Sequence, residues 1–558
     1  MGEAVASVDE GTSCSTDVIH PNPAMSRQGS ETNKTAKKPP EQLDIQDPQP
    51  EDGIVYPTGI KVWMAFVSLC TVSLLFGLDL AIVAATIPSL TNYFKSVEDI
   101  GWYSSVYSLM TASFTISYGK LYSLMSTKKV YIVSIFIFEL GSLLCTVATT
   151  SPLFIFGRAI AGIGAAGIGS GTYVILSRLF PRHKRPKWIT VMGFAQMVGI
   201  VSAPLIGGAL IDWVGWRGCF GINLPLGVAA IVLVACGYHD AISLSGGELS
   251  WTSKLKQFDW LGTFFMVPAI VCLLLALQWG GIKFGWGDAR IIVLFVLFAG
   301  LIVAFGYRQY QLQENATLPP RIMMTKSVLA ACWFSCCTNA SLTVTEYYMS
   351  IYFQGVKGYT ATQSGLHMTP LLIGITIGSL CGGLGVTWLG YYNPFMIATT
   401  VLAPVASGLL TTTNLDDSVA KLMCLLGFLG LATGIGLQAP LMALQTTMKQ
   451  DDLPIGMATA AFGNTLANAI WIVVSAALFT NRLVDEISIH SPTVNATQLE
   501  NVGLSDIRAI VGSARLQDVL LGYNTAVIQT LYLPVGLTVA TIVGSAFMEW
   551  HSVKKKQS

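Results

Sequence analysis

Two residues carry a full charge inside otherwise apolar stretches, Asp79 and Arg158. A charge at the middle of a bilayer costs roughly 2.5–3.5 kcal/mol on insertion scales, so such a residue usually faces a cavity or a partner. A carboxyl withdrawn from water can take up and release a proton near neutral pH. Asp79 is therefore a candidate for proton coupling, with a structural polar contact as the plainer reading. Arg158 stays charged, but its field can bias a nearby carboxylate or hold an anionic group; the plainer reading is a guanidinium capping helix carbonyls. Glu139 and Glu346 are further acids in apolar runs. Glu346 is followed by Tyr347 and Tyr348, with Tyr352 on the next turn. An acid beside aromatic rings suits a cationic or aromatic substrate, although tyrosines also form belts at membrane interfaces. Gln196 and Gln438 each offer one amide within an apolar run. With Glu346 and Tyr347 they are the candidates for lining a substrate cavity.

The elements that must position these groups follow from composition. Of 558 residues, 52% are hydrophobic and only 11% charged, against about 25% charged in soluble domains. The reading is an all-α polytopic membrane protein. A net charge of +1 implies no nucleic-acid partner. The 11 cysteines sit mostly in apolar stretches without metal-ligand spacing, and the six histidines are scattered. Neither a metal nor a cofactor is expected. Fourteen apolar stretches approach the length that spans a bilayer: 61–90, 102–123, 130–149, 152–178, 188–212, 217–240, 258–278, 289–307, 328–353, 362–386, 393–413, 420–445, 456–480 and 527–549.

Residues 1–58 are rich in Ser, Thr, Pro and charge and read as a disordered cytoplasmic tail. No apolar run follows Met1, so no signal peptide is expected, and Ala6 stands where a myristoylation signal wants Ser or Thr. Lys and Arg set orientation. With the tail inside, inner loops hold Lys128, Lys129, Arg178, Arg182, Lys184, Arg185, Lys187, Arg308, Arg321 and Lys449, and the chain ends on Lys554, Lys555 and Lys556. Both termini then face the cytoplasm. A long outer loop over 481–526 carries Asn495-Ala-Thr497, a glycosylation sequon that agrees with this sidedness. Gly119-Lys-Leu121 ends the second span and Gly382-Gly-Leu384 the tenth, a weak internal repeat. It suggests a 6+2+6 plan: a six-helix bundle over 59–240, inserted helices over 241–327, a second six-helix bundle over 328–550 and a basic tail over 551–558. Paired halves are how many transporters are built.

Within the fifth stretch, Ala195, Gly199, Ala203 and Gly207 fall four apart and form one smooth stripe on a helix. Small residues let membrane helices approach closely, and Pro204 interrupts this one. The whole run, Gly193 through Gly207 and Gly208, resembles the fifth-span antiporter motif of the major facilitator superfamily. Leu78-Asp79 through Ile87-Pro88 resembles the first-span signature of its fourteen-span drug:proton antiporters. Gly157-Arg158 through Ala165-Ala166 is similar to the superfamily's fourth-span motif, and Trp216-Arg217 through Pro225-Leu-Gly227 to the start of its sixth span. Asp99-Ile-Gly101-Trp102-Tyr103 and Tyr118-Gly119-Lys120-Leu121-Tyr122 look like fungal members that export toxins and other secondary metabolites. The resemblance covers about residues 60–550. It departs at Ala203 for Gly, Ala81 for Thr and Gly218 for Trp, and Ser123 and Leu124 replace the usual Asp and Arg of the second-to-third loop.

The resemblance implies a major facilitator fold and export of small organic molecules in exchange for protons, with Asp79 and Arg158 in the coupling. A monomer in the cell membrane is expected, with the vacuolar membrane as the other location. A proton-coupled importer, such as a siderophore symporter, is the alternative. No G-x-x-x-x-G-K-[ST] loop occurs, and no cluster of catalytic side chains marks an enzyme.

Overall fold

The computed structural model describes residues 59–95, 99–240, 258–281, 284–490 and 516–554. Its long elements are all α-helices, as a chain with little water to bond its backbone requires. A first group comprises α1 (Ile60–Phe94), α2 (Ile100–Leu124), α3 (Thr127–Val147), α4 (Ser151–Leu179), α5 (Arg185–Val214), α6 (Trp216–Gly221) and α7 (Asn223–Gly237). The pair α8 (Trp260–Trp279) and α9 (Ala289–Leu312) follows. A second group comprises α10 (Lys326–Ile351), α11 (Ala361–Leu389), α12 (Asn393–Leu410), α13 (Val419–Leu437), α14 (Ala439–Thr447), α15 (Leu453–His490) and α16 (Leu516–Phe547).

Among the described residues, 12 segments are long and apolar enough to cross a membrane, with α6–α7 and α13–α14 each counting as one. A thirteenth is α5, bent by 50° between Ala203 and Leu205. The proline there removes one backbone donor from the helical ladder. α2 has span length at 25 residues, but its serines, threonines and Lys120 dilute its apolarity. The region read as an outer loop over 481–526 differs in part. α15 runs on to His490 and α16 begins at Leu516, and Gln529 Nε2 donates to Glu486 Oε1 at 2.8 Å between them. Leu483 and Ile487 are buried against α16 in one apolar cluster, and this burial prolongs both helices beyond the apolar runs. The tail 1–58, Asn495 and residues 555–558 lie outside the described residues.

Both the start of α1 and the end of α16 lie at one end of the bundle, here called the base; the other end is the mouth. At the base a single apolar core joins the two groups. It runs from Val62, Ala65 and Phe66 through Ile189 and Met192 to Met442, Leu453, Met457 and Met548. Arg185 Nη1 donates to the Gln445 carbonyl at 3.1 Å across the same seam. At the mouth the cores are separate. One contains Leu78, Ile82, Phe154, Trp216 and Phe220 of the first group. The other contains Tyr348, Phe353, Leu371, Leu426 and Tyr523 of the second. The α8–α9 pair packs Met266, Ile270 and Phe305 on Leu109, Ala112 and Ile116 of α2. α9 leaves Val293, Val296, Val303 and Tyr307 exposed, so it lies at the periphery.

Candidate functional site

The sixth span is broken between α6 and α7 because Pro225 cannot donate to the Gly221 carbonyl four residues back. The break puts Asn223 at the start of α7, and its amide turns into the first group's interior. Asn223 Nδ2 donates to Asp79 Oδ1 and to Ser142 Oγ, both at 3.2 Å. Arg158 Nη1 meets Asp79 Oδ2 at 2.8 Å, and Arg158 Nε donates to the Tyr103 carbonyl at 3.1 Å. The guanidinium lies 4.4 Å from the centre of the Tyr107 ring. Asp79 is 0% and Arg158 1% exposed. Five helices (α1, α2, α3, α4 and α7) thus meet in one buried polar centre. Toward the mouth, Tyr103 Oη and Ser151 Oγ lie 3.1 Å apart, and Ser151 donates to Asp99 at 2.6 Å. Such a pair is held by its partners: removing one side leaves a bare buried charge. The arrangement can stabilise either a carboxylate that answers Arg158 or, once Asp79 is neutralised, an arginine that must find another anion.

The small-residue stripe of α5 sits directly beside this centre. A Cβ on Gly199 would strike the backbone of Leu74 and Leu78, and one on Gly77 the Gln196 carbonyl. Ala203 is fully buried with Leu78, Ile82 and Val83, and Gly207 lies against Ile82 and Ala85. The stripe therefore closes α5 on α1 within the first group, rather than on the second group. Gly208 faces open space. Gly193 points the other way: its missing Cβ leaves room for Gln438 Nε2 of the second group.

Gln438 stands at the break between α13 and α14, where Pro440 cannot donate to the Gly436 carbonyl. Its Oε1 is buried without a hydrogen-bond partner. A cleft beside it is lined by Thr190, Phe194 and Met197 of α5 and by Ile375, Thr376 and Ser379 of α11. Gln438 and Gly193 are thus brought together across the seam between the groups. Gln196 is half-buried on the α1 side. Glu346 is half-buried on α10, which packs mainly on α15 and α16 of the second group, and it does not join Asp79 and Arg158. Tyr347 is 49% exposed; its ring packs edge-on against Tyr348, which leads to Phe479 and Tyr523.

Sequence reasoning passed over several partners. Asn223 was visible only as part of the Trp216–Gly227 run, and Ser142 and Tyr107 carried no signal, being ordinary residues on buried helix faces. At the base, Ser126 Oγ and the Lys128 backbone N–H both donate to Asp240, with Arg178 Nη1 3.8 Å from its carboxylate. Lys128 Nζ also caps α7 at the Ala235 carbonyl, 2.6 Å away. Asp240, three residues past α7, thus meets the second-to-third loop at Ser126 and Lys128, a contact that no local reading of that loop could find. Among the described residues, no group of three or more His, Cys, Asp or Glu side chains could hold a metal ion.

An all-helical, membrane-spanning chain of two packed helix groups, with a buried ion pair in the first, is built as a membrane transporter. The chain belongs to the Major Facilitator Superfamily, which its residues 69–476 match. It is 39% identical to the MFS-type transporter astH of Aspergillus oryzae, over 94% of this chain and 92% of that one. It is also 39% identical to the efflux pump roqT of Penicillium rubens, over 88% and 91% of the two chains. Identity to the aspyridones efflux protein of Neocamarosporium betae is 36%, over 92% and 91%. The fold is similar to the crystallised proton:xylose symporter XylE, with a TM-score of 0.57 at 14% identity, covering 89% of this chain and 97% of that one.

Proposed function

We propose that this transporter exports small organic molecules, such as a drug, a mycotoxin or another secondary metabolite, in exchange for protons. The observation that carries the reading is the Asp79–Arg158–Asn223 centre, a carboxylate locked to a permanent cation at membrane depth. The relatives named efflux pumps or efflux proteins supply the direction; no observation favours the importer. Asp79 binds the proton, and its neutralisation releases Arg158 and loosens the α1–α5 seam that Gly199 and Ala203 close. Gln196, Glu346, Tyr347 and Gln438 line the path of the substrate between the groups. The plan is fourteen spans as 6+2+6 in a monomer, with bundles over 59–240 and 328–550.

The base carries most of the loop lysines and arginines, so it faces the cytoplasm. The shared apolar core at the base and the separate cores at the mouth fit a chain closed toward the cytoplasm. Both termini are then cytoplasmic, Asn495 is outside, and the cell membrane is the site of action, with the vacuolar membrane as the other location. The test is a deletion strain screened for hypersensitivity and retention across metabolites and drugs, complemented by the wild-type chain. Complementation should vanish when the proton gradient is collapsed and with Asp79→Asn or Arg158→Ala. Export that survives gradient collapse, or both variants exporting normally, overturns the reading.

A further inference from the structure

One buried carboxyl is not used by this scheme. Glu139 lies on α3 and is 7% exposed, and neither of its carboxylate oxygens has a hydrogen-bond partner. It is three residues before Ser142, so it sits one turn deeper from the mouth on the same helix face. Its carboxyl occupies the notch left by Gly227, where a Cβ would strike it. Gly227 in turn lies one turn below Asn223 on α7. Glu139 and Gly227 therefore form the next layer under the Asp79–Asn223–Ser142 layer.

The charges around this layer are already committed. From α4, Arg158 is bonded to Asp79 and to the Tyr103 carbonyl. From α6, Arg217 is bonded to Tyr93 and to the Ala148 carbonyl near the mouth. α7 contributes no titratable side chain between Asn223 and Gly227. On α2, Tyr107 lies under the Arg158 guanidinium. On α3 itself, Cys145 bonds the Phe154 carbonyl at 3.7 Å. The remaining charge is the Asp79 carboxylate of α1, which repels a second negative charge.

A bare carboxylate without donors is among the costliest groups to bury, whereas a neutral carboxyl brings an O–H donor of its own. An acceptor that lacks a donor stands one turn away: Asn223 Oδ1 is buried without a partner. A proton on Glu139 removes the bare charge and brings an O–H donor into the layer below that acceptor. We propose that Glu139 is a second proton-binding site of the first helix group, in the layer under Asp79, Asn223 and Ser142. This inference rests on the proton-coupled reading. It adds a second carboxyl of the first helix group that carries a proton of its own.

The experiment uses the purified full-length chain in detergent without substrate. An indicator dye counts protons released on an alkaline pulse, and infrared spectroscopy follows the protonated-carboxyl band. Glu139→Gln keeps the shape of the side chain, so it should fold and melt as the wild type while releasing about one proton fewer per chain and losing one carboxyl band. Gly227→Ala pushes a methyl into the notch and should move the pH midpoint of that band without changing the count. Equal proton counts and equal bands in the wild type and Glu139→Gln overturn the proposal, because a structural carboxyl that binds no proton gives that result. The gradient-collapse test judges the coupling reading separately. Gradient-independent export alongside a lost Glu139 proton removes the coupling and leaves the site.

Discussion

The sixth and twelfth spans are broken by the same device and put it to different use. Each has an amide residue two positions before a proline, Asn223-x-Pro225 and Gln438-x-Pro440. In each, the proline withholds one N–H from the ladder, and the helix ends and restarts beside the amide. Asn223 turns into its own helix group and is bonded to Asp79 and Ser142. Gln438 turns to the seam between the groups, meets Gly193, and keeps a buried oxygen without a partner. Two donated bonds hold the Asn223 amide in one geometry, although its Oδ1, like Gln438 Oε1, has no partner; an amide without such bonds stands ready for a group that arrives later. The first break thus belongs to the rigid centre and the second to the moving seam.

The hardest blow to the first break is at the ion pair. Arg158→Ala leaves Asp79 buried and unanswered, a loss of about 3–5 kcal/mol for breaking a buried pair. Melting of the purified protein should fall steeply and export should be abolished. Asp79→Asn should destabilise in the same direction, since Arg158 is then the bare charge. The double variant Asp79→Asn with Arg158→Gln should recover much of the stability and none of the export. Recovery of export in that double variant would reduce the pair to a structural clip.

Asn223→Ala comes next. It removes two hydrogen bonds, one of them to a charged group worth about 1.5–3 kcal/mol. Export should drop by tenfold or more while expression is retained, measured as the rate of extrusion per folded chain. Gly199→Ala should be comparable, because the added Cβ meets backbone of Leu74 and Leu78 that cannot swing away. Overpacking of this kind costs typically 1–3 kcal/mol, to be read as a lowered melting temperature.

The contrast also marks what the sequence can and cannot reveal. Asp79 and Arg158 were legible because a charge in an apolar run is expensive and demands a reason. Their pairing was not, since the two residues stand on helices whose contact depends on tertiary packing. The α5 stripe was legible as a packing face from its spacing of four, but not the choice of α1 as its partner. The helical class followed from composition, whereas the extension of α15 and α16 past their apolar runs depends on burial of Leu483 and Ile487 of α15 against α16. Asp240 meets the second-to-third loop from more than 110 residues away, a distance that no local pattern spans.

The smallest expected effect lies at the second break, and it is the sharpest test of the comparison. Gln438→Ala removes an amide whose oxygen has no partner to strand, so melting should shift little. Gly193→Ala places its Cβ against the flexible end of Gln438 rather than against backbone, so that side chain can yield and the fold should hold as well. Both variants alter the lining of the cleft between α5 and α11. The measurable change should be in the ranking of exported compounds, by a few-fold, since one hydrogen bond contributes about 0.5–1.5 kcal/mol. A competition assay over a panel of metabolites would show it. If Gln438→Ala instead lowered melting as far as Asn223→Ala, the second break would be a locked joint like the first, and the seam would have to move elsewhere.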